Sequence, residues 1–210
     1  MKTDRRQIQH ESVTQEIIAT ARTIMREEGA AALSMQELAR RLDMRAPSLY
    51  NYFVGKNEIY DAVFRLGFDQ FSAFIDEKVT GAQTWQEELR RYLEAYMAFA
   101  LENPELYQLC FERPVPGFVP SSASLEISAN TLRRAYAIAS RWREAIQTDL
   151  SGQQMADLVL AVMHGLTALH MANEPNMAVG QGRFGSLISA AVSLFNRAWS
   201  GPLGSEGDKA

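Results

Sequence analysis

Ser34-Met-Gln-Glu-Leu-Ala-Arg-Arg-Leu-Asp-Met-Arg-Ala-Pro-Ser-Leu-Tyr-Asn-Tyr-Phe53 holds two short amphipathic segments with one polar break between them. Ser34 with Glu37 three residues on spells a capping box, in which each side chain satisfies an orphan backbone N–H of the other. Leu38, Ala39 and Leu42 then fall at helical spacing and form the inward face. Asp43 interrupts the pattern. A further short helix begins near Ala46, with Pro47 in its first turn, where a missing N–H costs nothing. It ends by Phe53, because Gly55 breaks the chain before Lys56, Asn57 and Glu58 open the next helix. Two helices across a tight turn are the layout that lets the second enter a major groove.

Upstream, Ile17, Ile18, Ala21, Ile24 and Met25 predict a helix from Thr14 to Glu28, stopped by Gly29. Downstream, everything periodic has the helical period, and no alternating Val, Ile or Thr run suggests a sheet. Thr84 with Glu87 predicts a second capping box ahead of a helix from Trp85 to Glu102. Asn103-Pro104 marks a helix restart, and Ser151 with Gln154 begins an apolar run through Met171. Pro114, Pro116, Gly117 and Pro120 crowd one loop, read either as a gate or as a static connector. The last two helices, roughly 153–172 and 183–199, carry small residues (Ala161, Gly165, Ala168, Ser189, Ala190, Ala191, Ser193) that permit close helix approach. No internal repeat is visible, and residues 201–210 read as a disordered tail.

With 210 residues, 47% of them hydrophobic, the chain can bury a core without metals or cross-links. A single cysteine, Cys110, excludes a disulfide framework and fits a reducing cytoplasm. Lys2, Thr3, Asp4, Arg5 and Arg6 follow Met1 with no apolar stretch behind them, unlike a secretory signal. No segment approaches the roughly 18 to 20 uninterrupted apolar residues that would span a bilayer. The net charge of -4 alone argues against a polyanion partner, but it is unevenly spread: residues 1–56 carry +2 and the remainder -6. Only the N-terminal part is a candidate reader of nucleic acid.

Leu49, Tyr50, Phe53 and Lys56, with the small Ala39 where the two helices cross, resemble the reading head of the TetR/AcrR family of transcriptional regulators. The resemblance implies an all-α fold. Residues 1–56 would be a three-helix helix-turn-helix DNA-binding domain and 57–200 a helical ligand-binding and dimerisation domain. It implies base-edge contacts from Arg45, Ala46, Ser48 and Asn51, and phosphate contacts from Ser34, Tyr50, Tyr52 and Lys56. Arg can fork onto guanine, Asn can pair with adenine, and Pro47 or Ala46 can touch a thymine methyl. A half-buried core position is the alternative for Tyr50, and for Arg40 and Arg41 a solvated face is the plainer reading. Asp43 departs from the family's usual turn glycine; aspartate tolerates the left-handed conformation, but its carboxylate sits near phosphate. Lys2, Arg5 and Arg6 are either an arm reaching the duplex or a solubilising tail.

The stretch from Tyr96 to Phe111 and the run Met163-His164-Gly165-Leu166 resemble the sensor half of the same family, with Met163 where a subgroup has Trp. An apolar pocket with a few polar groups is expected from Tyr92, Tyr96, Phe99, Tyr107, Cys110, Phe111, His164 and Thr167. Asp157 lies seven residues before His164 and is placed to orient its imidazole, which keeps a remote helical-enzyme reading open. His170 cannot share a metal with His164 from one helix, and HExxH, CxxC and Gly-x-Ser-x-Gly are absent, so no metal, cofactor or catalytic residue is expected. The expected protein is therefore a cytoplasmic homodimer, joined through its last two helices and binding double-stranded operator DNA. A small apolar or aromatic effector would release it, with no membrane partner. A regulator answering a protein partner, or an activator, shares this reader.

Overall fold

The computed structural model describes residues 2–146 and 148–200, which are helical with no strand among them. The helices are α1 (Lys2–Glu28), α2 (Met35–Arg41), α3 (Ala46–Leu49), α4 (Lys56–Val79), α5 (Trp85–Glu102), α6 (Pro104–Tyr107), α7 (Ser122–Glu144), α8 (Gly152–Asn173), α9 (Gly182–Gly185) and α10 (Ile188–Ser200). A π-turn, Gln108–Glu112, continues α6. The tail expected to be disordered, 201–210, lies outside the described residues.

Two compact units emerge. One comprises the described part of Met1–Gln70 together with Asn103–Ser128, and the other Phe71–Glu102 with the described residues from Ala129 onward. Compactness thus divides the chain elsewhere than the functional boundary expected at residue 56. The physical reason is a buried carboxylate. Glu105 at the start of α6 is 1% exposed, and it accepts hydrogen bonds from Arg22 Nε (3.0 Å) and Nη2 (2.8 Å) and from Arg26 Nε (2.8 Å) on α1. Arg22 also donates to Asn103 Oδ1 at 3.2 Å. Beside this anchor, the core of the first unit is Ile17, Ala21, Ile24, Leu38, Leu49, Ile59 and Tyr60, all fully buried. Tyr60 donates to the Ala30 carbonyl at 2.7 Å and so fixes the turn between α1 and α2.

The Pro-rich loop is a pinned connector. Val115 is buried, Phe118 packs against Tyr60 and Phe64, and Ser121 donates to Asp61 from both its N–H (2.7 Å) and its hydroxyl (2.9 Å). The hydroxyl also accepts the Ser124 N–H and so starts α7.

In the second unit α5 packs against α8 and α10. Gly152 opens α8 where a Cβ would run into the Ser140 backbone of α7 at 2.8 Å, so only glycine fits there. The Ser151–Gln154 capping box forms in both directions. At Thr84 the hydroxyl takes the Glu87 N–H, but Glu87 reaches back to the N–H of Gln83 rather than of Thr84.

Two boundaries and one composition differ from the sequence reading. α1 starts at Lys2, not Thr14, because residues 2–13 contain no breaker although they lack an apolar stripe. The last helix is split: Glu174 caps a short α9 through the N–H groups of Arg183 and Phe184, and the chain turns before α10. Finally, α8 passes by length and composition as able to cross a membrane, with a mean hydropathy of 1.4, although Asp157, His164 and His170 interrupt it. It is apolar on two faces, only one of which is packed.

Removing Arg22 leaves a buried carboxylate short of two donors, whereas Arg26, 47% exposed, supplies one. Arg22→Ala should lower unfolding stability by about 1–3 kcal/mol, and Arg26→Ala by less. Urea denaturation read by circular dichroism checks both the order and the size.

Candidate nucleic-acid interface

Ser34 adopts extended backbone as the cap of α2 and accepts the Glu37 N–H at 3.1 Å. Only half of the expected box forms here. Glu37 turns away toward Arg40 and Arg41, which hold its carboxyl down at about 2 through hydrogen bonds. Arg41 also grips Glu27 and Glu28 at the end of α1, so it is a clasp between two helices rather than a solvated side chain. Arg40 remains mostly exposed.

The turn after α2 closes as a Schellman motif. Met44 N–H reaches the Ala39 carbonyl at 2.9 Å and Asp43 N–H the Arg40 carbonyl, with Asp43 in the left-handed region at φ 50°. Aspartate thus occupies the conformation for which glycine is the usual residue. α3 follows with Arg45 as its cap and Pro47 in its first turn. It is shorter than its sequence pattern suggests, yet the Tyr52 and Phe53 N–H groups both bond the Leu49 carbonyl and continue the turn to Phe53. Leu38, Ala39, Leu49 and Phe53 are buried and bind α3 to its support.

These anchors leave a contiguous outward surface. Arg45, Pro47 and Asn51 are exposed, Ala46, Ser48 and Tyr52 are half-buried, and Tyr50 is 55% exposed, which removes the core reading for that tyrosine. Ser34 begins α2 and Lys56 begins α4, both exposed. The cations sort cleanly. Arg22, Arg26, Arg40 and Arg41 are spent on carboxylates, while Arg5, Arg6, Arg45 and Lys56 have no carboxylate partner among the described residues. One participant escaped the sequence reading: His10 of α1 stacks on Tyr52, with ring centroids 4.7 Å apart and planes 30° from parallel. Its only sequence signal is position, since His10, Val13 and Ile17 continue one helical face.

Of the expected effector residues, five lie in the second unit and three in the first. In the second unit, Tyr96, Phe99 and Thr167 are buried and Phe71 packs edge-on against both rings. His164 Nδ1 lies 3.1 Å from the Tyr96 hydroxyl. The Thr167 hydroxyl is buried without a hydrogen-bond partner. Tyr92 lines an open groove of about 960 Å³ with Trp85, Glu88, Arg134, Arg141 and Trp142. Burial and the Glu88 carboxylate push its phenol up to about 12. In the first unit, Tyr107 is fully buried, Phe111 packs on Phe68, and the Cys110 thiol donates to the Phe64 carbonyl at 3.6 Å, its ionisation pushed up by burial. Asp157 does not orient His164: it is exposed and accepts from the Tyr136 hydroxyl at 3.2 Å.

A family model described as bacterial regulatory proteins of the tetR family matches residues 17–63, and one described as the tetracyclin repressor-like C-terminal domain matches 89–185. The chain belongs to the TetR family. It is a family of DNA-binding transcriptional regulators rather than enzymes. Curated relatives include the HTH-type transcriptional regulator Rv1816 of Mycobacterium tuberculosis, 26% identical over 110 residues (51% of this chain, 47% of the relative). The HTH-type transcriptional activator FasR of Mycolicibacterium smegmatis is 27% identical over 97 residues (46% and 44%). The chain spans about half the length of the curated relatives it matches. Among solved structures, a Rhodococcus sp. RHA1 protein of unknown function superposes with TM-score 0.75 at 20% identity (89% of this chain, 95% of that one). FadR from Bacillus subtilis in complex with stearoyl-CoA gives 0.69 at 16% identity (86% and 96%). AibR in complex with isovaleryl coenzyme A and operator DNA gives 0.62 at 16% identity (86% and 96%). At these identities the likeness is one of fold.

Asp43 sits at a left-handed position where β-branched side chains are strained. Asp43→Val should cost about 1–2 kcal/mol, while Asp43→Gly should fold as well as the parent and bind DNA more tightly by removing a carboxylate near phosphate. Thermal melts and fluorescence anisotropy on duplex DNA check the pair.

Proposed function

We propose that the chain is a ligand-responsive, homodimeric repressor whose helix-turn-helix binds operator DNA and lets go when a small, largely apolar effector occupies its helical body. The observation that carries the DNA half is the surface just described: a rigid, buried support under Arg45, Ala46, Pro47, Ser48 and Asn51, flanked by Ser34, Tyr50, Tyr52 and Lys56. Arg45 and Asn51 are the base readers in this proposal, and the hydroxyls and Lys56 set register on the backbone. In these terms residues 1–56 are the reader and 57–200 the sensor and dimer body.

Two observations support an effector in the body. The unpartnered Thr167 hydroxyl is a buried polar atom that costs about 1–3 kcal/mol unless something bonds to it. The groove beside Tyr92 combines aromatic walls with paired charges. Two proteins of the same fold hold acyl-CoA ligands, one of them together with operator DNA. An acyl thioester, with an apolar chain and a polar head, is therefore the first class to screen. The named activator among the relatives favours one second reading, in which the same reader recruits rather than blocks transcription.

The dimer is argued from α8 and α10. Leu158, Ala161, Gly165 and Leu169 share the α8 face opposite the packed Val159, Met163 and Thr167. Leu187, just before α10, and Ala190, Leu194 and Ala198 along it repeat the arrangement. A second copy of the chain covers both stripes as a four-helix interface.

Fluorescence anisotropy on the gene's own upstream DNA against a scrambled duplex tests the reader. Arg45→Ala and Asn51→Ala should each lose about 1–3 kcal/mol of discrimination, and Lys56→Ala should weaken both duplexes alike. Equal, weak binding to the two duplexes by the parent protein sinks the proposal. Leu194→Arg should convert the sedimenting species from dimer to monomer and lower operator affinity with it. A dimer that survives this change contradicts the interface.

A further inference from the structure

We propose that His10 is a positioning residue for DNA binding: its ring holds Tyr52 of the reading head, and the α1 face it shares with Arg6 runs along the duplex backbone beside that tyrosine. The proposal rests on the operator-binding reading above. Tyr52 lies in the turn that ends the second reading helix and is half-buried, so its hydroxyl is a phosphate donor only if its ring is held in one orientation. The His10 imidazole, stacked with its centroid 4.7 Å away and its plane 30° from parallel, supplies that hold.

The helix carrying His10 continues past the head. Arg6, His10, Val13 and Ile17 are separated by four, three and four residues and therefore share one face of α1. Ile17 is fully buried, Val13 is half-buried, and His10 and Arg6 are exposed. The face that packs the core thus emerges into solvent as a cation one turn, about 6 Å, beyond the stacked pair. Arg6 has no carboxylate partner among the described residues. An unpaired cation on this helix face, in register with the tyrosine proposed to bind phosphate, matches a polyanion backbone and gains affinity through counterion release.

The test uses the full chain on the upstream and scrambled duplexes across a salt series, with the parent, Arg45→Ala, His10→Ala, His10→Phe and Arg6→Ala. All substituted positions are exposed, and unchanged thermal melts verify the fold. His10→Ala should weaken operator binding about threefold to tenfold, the range of an aromatic pair, and His10→Phe should restore it because the stack is kept. Arg6→Ala should weaken both duplexes equally and reduce the salt slope by about one. If the parent discriminates and Arg45→Ala abolishes that, while His10→Ala and Arg6→Ala match the parent, this inference is overturned and the reader stands. Failure of His10→Phe to restore what His10→Ala loses overturns the stacking role. A parent that does not discriminate overturns the operator reading and this inference together.

Discussion

The Glu105 carboxylate is the constraint on which the first unit depends. A charge at 1% exposure is tolerable only if donors surround it, and here three hydrogen bonds from Arg22 and Arg26 do so. Because those arginines lie on α1 and the carboxylate on α6, the requirement brings segments about eighty residues apart into one compact body. The Pro-rich loop after α6 is then held at α4 by Asp61 and by the Phe118 contacts, so α6 is fixed on both sides. Through its carboxylate α6 is tied to α1, the helix on which the reading head is built.

Much of the head was legible because its signals are local. A serine cap, an inward Leu-Ala pair, a residue able to adopt positive φ and a proline in the next first turn each act within a few residues, and each is found where the pattern placed it. The all-helical body was legible for the same reason, through period and caps. Local rules erred where a long-range competitor entered. Glu37 has the capping-box spacing, but two arginines outbid the serine N–H for its carboxylate. Gly185 and Ser186 interrupt an apolar run that otherwise reads as one helix; a Cβ at Gly185 would meet His170 at 3.2 Å, so a close approach set by α8 governs that position.

The site beyond the head was less legible, because partners there come from separate helices. Asp157 accepts from the Tyr136 hydroxyl although it has the right spacing to face His164. Helical spacing tells which side chains share a face; it does not tell what the face meets. His10 illustrates the limit most plainly. Only its place on the face of Val13 and Ile17 marks a histidine in a polar N-terminal segment, and only the packed position of Tyr52 gives it a partner.

Charge counting fails in the head for a related reason. The excess of +2 in residues 1–56 is too small to suggest a polyanion reader, yet net charge is the wrong quantity. Four arginines neutralise carboxylates that would otherwise repel a phosphate backbone, including Glu37, Glu27 and Glu28 around the head itself. The cations left over are concentrated at Arg45 and Lys56 on the reading surface and at Arg5 and Arg6 on the extended α1. A duplex responds to the local potential within about 10 Å at ordinary salt rather than to the sum over the chain. The internal ion pairs therefore do two things at once: they clamp α1 to α2 and α6, and they neutralise Glu27, Glu28 and Glu37 beside the reading helices.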